Sequence, residues 1–220
     1  MRFALTRRRS SRKGRLPVQH LPLDADGHLY VFAYGSLIWR PGFDHQGAET
    51  ALLRGYHRRF CLWSRLYRGT PEVPGLVLGL DRGGACRGVA FRVVAPHAAE
   101  VLAYLEAREN PNGENVYFRR LLPLRRASGR QVRGVAYVAD RAHPAYARPC
   151  EVSTVATIAR SHGQAGANRE YLLNTAAHLR ALGLADARLE RLVTLLDSMG
   201  EAPRPAIHMN DLPGDVAGQG

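Results

Sequence analysis

From about residue 29 the chain alternates apolar and polar positions in short runs, the pattern of half-buried strands. Strands are predicted at 29–33, at 51–63 with an interruption at Gly55, at 76–80, at 88–94, at 117–124 and at 132–138. Asp81-Arg82-Gly83-Gly84 reads as a turn between the third and fourth of these, and Ser128-Gly129 as another between the last two. Helical spacing appears between the strands only once, at 97–109. There Pro96 suits a first helical position, and Asn110-Pro111-Asn112-Gly113 stops the helix. Three more helices are predicted later, at 152–161, at 169–182 with Asn168 as its cap, and at 186–198. The early strand connections are too short for the helical crossovers of a parallel sheet. The expectation is therefore an α+β fold, a small, mainly antiparallel or mixed β-barrel with flanking helices.

Two places break the pattern. The first is Val31-Phe-Ala-Tyr-Gly-Ser-Leu-Ile-Trp39, a strand that stops at a Gly-Ser step between two apolar runs. Gly35 permits backbone conformations or close approaches denied to other residues, and consecutive amides in such a turn can bind an anionic oxygen. A plain bend with glycine at its corner explains the same residues. The second is in the helix at 97–109. Ala98, Leu102 and Leu105 form its apolar stripe, and the next position on that stripe is Glu109. Burial and the negative end of the helix dipole both disfavour the ionised form there, which suits a proton carrier working near neutrality. An ion pair with Arg119 or Arg120, or a side chain reaching water past the helix end, is the structural alternative. Glu106 is expected to project toward solvent.

Composition narrows the class. The protein has 220 residues, 45% of them hydrophobic, enough for one sizeable core. No apolar run approaches the ~20 residues of a membrane span, so no membrane association is expected. Three scattered cysteines suggest no disulfide framework and a reducing, cytoplasmic setting. Neither they nor the nine histidines have metal-ligand spacing, so no metal is expected. The net charge of +12 is concentrated: residues 1–15 hold seven cations and no acid. Residues 1–27 are read as a basic, disordered arm, residues 28–199 as the domain, and residues 200–220 as a flexible Pro/Gly-rich tail. Clustered arginines such as those in residues 2–15 can also bind phosphate backbones, which makes a nucleic-acid-binding protein the competing class of function.

Tyr34-Gly35-Ser36-Leu37-Ile38-Trp39 followed by Leu105-Glu106-Ala107-Arg108-Glu109 resembles the ChaC family of γ-glutamylcyclotransferases, its bacterial members especially. Supporting matches are Gly55-Tyr56-His57-Arg58-Arg59-Phe60, Thr70-Pro71-Glu72-Val73-Pro74-Gly75, Gly88-Val89-Ala90-Phe91 and Gly166-Ala167-Asn168-Arg169-Glu170-Tyr171-Leu172, so the likeness runs from about residue 30 to 195. It implies a small β-barrel with flanking helices that cleaves glutathione to 5-oxoproline and cysteinylglycine, with no cofactor or metal. By position it makes Glu109 the catalytic base and acid, and Tyr34, Gly35, Ser36 and Leu37 the loop that holds the γ-glutamyl group. It makes Tyr117 and Tyr171 the tyrosines of the substrate site. Cyclotransfer on another γ-glutamyl amine is the alternative within the same chemistry. The stretch from Asn110 to Val116 is longer than in the close eukaryotic members, and the arginine-rich arm lies outside the family pattern.

Overall fold

The computed structural model describes residues 21–110, 113 and 115–199. Five strands close into a barrel in the order β1 (His28–Ala33), β3 (Gly75–Val94), β2 (Gly47–Ser64), β4 (Tyr117–Arg126) and β5 (Gln131–Ala139). Neighbours are antiparallel except where β5 runs parallel to β1 and to β3. Helix α1 (Ala95–Glu109) follows β3 directly, and α2 (Glu151–Arg160), α3 (Asn168–Ala181) and α4 (Ala187–Ser198) pack on one another outside the barrel. A two-stranded ribbon, β6 (His162–Gly163) with β7 (Gly166–Ala167), joins α2 to α3. This is the mixed barrel with flanking helices that the hydrophobic pattern predicts. No described helix is long and apolar enough to cross a membrane.

Two expectations need correcting. The predicted turn at Asp81–Gly84 is not a break between strands, because β2 and β3 run side by side from Gly47↔Arg92 to Ser64↔Gly75. The two glycines are absorbed by a register shift opposite Arg54 and Tyr56, where Gly55 has φ +86°. Asp81 is buried within this long strand, where its carboxylate accepts from Arg141 Nε at 2.6 Å and from the Tyr146 hydroxyl at 2.9 Å. Those bonds draw the segment after β5 against the barrel.

Asn168 does not cap α3. Ala167 occupies the cap position, and Asn168 is fully buried as the first helical residue. Its side chain instead accepts from Leu76 N at 2.7 Å and donates to Leu76 O at 2.8 Å, pairing with β3 as a strand residue would. The capping role belongs to Asp186, which accepts from the amides of Arg188 and Leu189 at the start of α4. Residues 2–15 of the basic segment, and residues 200–220, lie outside the described residues. Residues 21–27, assigned to the arm by the sequence, are held to the domain. Leu21 and Leu23 pack on the core, and Asp24 accepts from Arg133 N at 2.8 Å.

Because Leu76 is fully buried, removing its Asn168 partner strands two backbone groups away from water. Asn168→Ala is expected to lower the unfolding free energy by about 2–4 kcal/mol, measured by urea denaturation. A loss below about 0.5 kcal/mol, the size of an ordinary surface change, would mean that this clamp contributes little.

Candidate active site

The site is built where β1 runs out. Past Ala33 the strand's ladder ends, and the chain turns through Gly35 into a single 3-10 turn, Ser36–Ile38. A buried arginine from β2 fixes this exit. Arg58 Nε donates to the Tyr34 carbonyl, Nη2 to the Arg87 carbonyl at 2.8 Å, and Nη1 to Asp186 Oδ2 at 2.6 Å. The 3-10 turn closes with Ile38 N bonded to Gly35 O and Arg40 N to Ser36 O. The amides of Ser36 and Leu37 donate no hydrogen bond within the described residues. A methyl group at Gly35 would sit 3.3 Å from the Tyr171 hydroxyl, a tight contact that places the tyrosine against the turn.

Helix α1 brings the second half. Ala98, Val101, Leu102 and Leu105 are its buried residues, so Glu109 is carried inward on the same face. Asn110 caps the helix and, being buried, ties it to β4. Its Oδ1 accepts from Tyr117 N at 3.0 Å and its Nδ2 donates to Tyr117 O at 3.1 Å. Tyr117 in turn donates its hydroxyl to Leu78 O at 2.9 Å. Glu109 does not pair with Arg119 or Arg120. Arg119 lies 3.9 Å from Glu106 instead, and the nearest cation to Glu109 is Arg108, with Nε at 3.7 Å. Glu106, expected in solvent, is half-exposed and accepts from Asn110 Nδ2 at 2.8 Å and the Tyr137 hydroxyl at 3.3 Å.

The two halves meet. A cavity of about 1000 Å³ is lined by Tyr34, Gly35, Ser36, Leu37, Glu109, Tyr117 and Tyr171 together, all seven positions singled out from the sequence. Arg108 fastens them: its Nη2 donates to Ser36 Oγ at 3.1 Å, and its Nη1 to Arg40 O at 2.7 Å and to the Tyr104 hydroxyl at 2.8 Å. The sequence reading passed over Arg108 and Arg58. For Arg58 a signal existed, because it lies two residues before Phe60 on the same strand face and is buried with it.

Electrostatically the cavity is set by burial. The Glu109 side chain is 15% exposed, and its pKa is pushed from 4.5 up to about 7 by burial, against the opposing pull of Arg108. The Nη1 and Nη2 donors of Arg108 go to three other oxygens rather than to Glu109. Burial also holds Tyr34 and Tyr117 well above the ordinary phenol range and Tyr171 at about 12, with the Glu109 charge adding to each. The three phenols therefore stay protonated, with the Tyr117 proton already donated to Leu78 O. What results is a carboxylate that exchanges a proton near neutral pH, opposite a turn with free amides, inside a wall of neutral tyrosines.

The raised Glu109 pKa makes a stability prediction. Below pH 4.5 both folded and unfolded chains hold the proton, and nothing is lost. As pH rises from 4.5 to about 7 the unfolded chain ionises first, so folding stability falls through that window and then levels off. The gap corresponds to roughly 3 kcal/mol at most. Urea unfolding at pH 5 and pH 8 should therefore show Glu109→Gln gaining stability relative to the parent as pH rises. A difference that stays constant with pH would contradict the buried, raised carboxylate.

Residues 29–199 match the family model for ChaC-like proteins. The chain is 34% identical over 175 residues to the glutathione-specific γ-glutamylcyclotransferase 1 of Homo sapiens, covering 78% of each chain. It is also 34% identical over 169 residues to the glutathione-specific γ-glutamylcyclotransferase of Escherichia coli (strain K12), covering 76% of this chain and 72% of that protein. Among solved structures, a yeast γ-glutamyl cyclotransferase specific to glutathione superposes with a TM-score of 0.71 at 24% identity, over 78% of this chain and 96% of that one, a likeness of fold. The match over residues 29–199 and these two relatives agree with the barrel just described, and the chain belongs to the ChaC-like family.

Proposed function

We propose that this protein is a glutathione-specific γ-glutamylcyclotransferase, a lyase that releases 5-oxoproline and cysteinylglycine. The single observation that carries the reading is the juxtaposition of Glu109 with the Tyr34–Leu37 turn across one cavity. Glutathione contains its own nucleophile, the α-amine of the γ-glutamyl residue, five atoms around from its side-chain carbonyl carbon. Protein chemistry is needed for proton handling, charge and conformation.

In this mechanism Glu109, in its ionised form, takes a proton from the α-ammonium group. The freed nitrogen attacks the γ-carbonyl carbon and closes the lactam ring. Negative charge gathers on the carbonyl oxygen, and the unbonded amides of Ser36 and Leu37 are suited to receive it, a contribution of about 3 kcal/mol per donor in comparable sites. The C–N bond to cysteine then breaks. Glu109 returns its proton to the leaving nitrogen, which departs as a neutral amine, and the ring nitrogen then gives up its second proton through the re-ionised Glu109 to solvent, leaving the neutral lactam of 5-oxoproline. A carboxylate with a pKa of about 7 is matched to both transfers, basic enough to accept and acidic enough to give back. The walls formed by Tyr34, Tyr117 and Tyr171 would hold the γ-glutamyl chain folded, supplying the orientation that a flexible substrate lacks in water. We place the reaction in the cytoplasm, in keeping with three free cysteines, two of them buried.

The direct test is incubation of purified protein with glutathione and a panel of other γ-glutamyl amines, with 5-oxoproline quantified. Glutathione should be the preferred substrate. Glu109→Gln should lose turnover by a factor of ~10²–10⁴ while still binding glutathione. The parent's kcat/KM should climb with pH toward a plateau set by Glu109, with its midpoint near 7. Near-parental 5-oxoproline release by Glu109→Gln would remove Glu109 from the chemistry.

A further inference from the structure

Arg68, one of four arginines that line the cavity, has no role in the mechanism above. Arg68 comes from the loop after β2 and lines the cavity beside Tyr171. Its guanidinium carbon lies 5.2 Å from the centre of the Tyr171 ring, and Nη1 donates to Ala167 O at 3.1 Å. Its Nε and Nη2 make no hydrogen bond, and no carboxylate lies within ion-pair distance, among the described residues. The loop's backbone is fixed independently of that side chain. Arg68 N donates to Ser64 Oγ at 3.0 Å, and the carbonyls of Leu66 and Tyr67 each accept an amide of the β6–β7 ribbon at 2.9 Å. A partly buried guanidinium with free donors facing a cavity is a site for an anion, and its fork geometry suits a carboxylate.

Which carboxylate follows from the substrate's geometry, given the cyclotransferase reading on which this inference rests. The γ-glutamyl α-carboxylate shares a carbon with the amine that must reach Glu109, so it is tethered to the Glu109 end. The leaving dipeptide extends about 7 Å beyond the scissile carbonyl and ends in a second carboxylate. The ring of Tyr171 separates Arg68 from the turn: the tyrosine's hydroxyl packs at Gly35 and its ring lies under the guanidinium.

We infer that Arg68 binds the C-terminal carboxylate of the leaving peptide, and so selects γ-glutamyl peptides that end in a free acid over those that end in an uncharged amide. Arg68 touches no reacting atom; it determines specificity through the far end of the substrate.

The test compares glutathione with its C-terminal carboxamide, using the full-length protein, Arg68→Gln and Arg68→Lys. The parent should favour the acid by roughly ten- to a hundredfold in kcat/KM, the range of a charge-assisted hydrogen bond, mostly through KM. Arg68→Gln should bring glutathione down to the level of the carboxamide and leave the carboxamide's own rate unchanged, while Arg68→Lys should recover part of the preference. Equal losses on both substrates would overturn the inference, by pointing to the α-carboxylate or to a structural role. So would a parent indifferent to the terminal charge, a result that needs no variant to fold. Absence of 5-oxoproline from both substrates with the parent would instead overturn the cyclotransferase reading itself.

Discussion

The interaction on which the site depends is the buried guanidinium of Arg58. Three of its nitrogens reach three separate elements: the carbonyl at the exit of β1, a carbonyl in β3, and the carboxylate that caps α4. A charge at 3% exposure is tolerable only when paired and hydrogen-bonded, and here Asp186 supplies the counter-charge and each of the three nitrogens has an acceptor. The Tyr34 carbonyl, just beyond the ladder of β1, gains a partner in the same stroke. With that carbonyl fixed, the chain turns through Gly35 into the 3-10 turn, whose residues Ser36 and Leu37 line the cavity. The barrel's closure thus reaches the chemistry through one side chain.

The opposite wall is set by competition between burial and charge. Arg108 stands 3.7 Å from Glu109 and could hold it ionised, yet burial prevails and the carboxyl titrates near 7. Arg108 meanwhile divides its Nη donors between Ser36, Tyr104 and Arg40. The same arginine therefore joins the helix end to the turn and leaves the acid close to neutrality. Asn110, gripping Tyr117 on both backbone sides, fixes the other edge of that helix end.

Much of this was legible in the sequence, and the limits have physical causes. The strands and helices were readable because each is amphipathic at its own period, and Glu109 stood out by lying on an apolar stripe. The Asp81–Gly84 turn misled because Gly-rich tetrapeptides signal reversal, whereas here a register shift absorbs them within a continuous strand pair. Asn168 looked like a cap because its residue type favours that place, but a buried strand edge claimed its amide. Arg58 was visible as a cation on the strand face of Phe60, though its three acceptors come from residues distant in the chain and could not be named beforehand. Arg108 and Arg68 carry no local signature, since their meaning lies only in what they face.

The measurement that bears most directly on the site is a crystal structure of Glu109→Gln with glutathione bound. The γ-carbonyl oxygen should lie within hydrogen-bond distance of the Ser36 and Leu37 amides, with the α-amine against the side chain of residue 109 and the peptide leading toward Arg68. A γ-glutamyl group bound away from that turn, or an α-amine pointing away from residue 109, would contradict the pairing of turn and carboxylate.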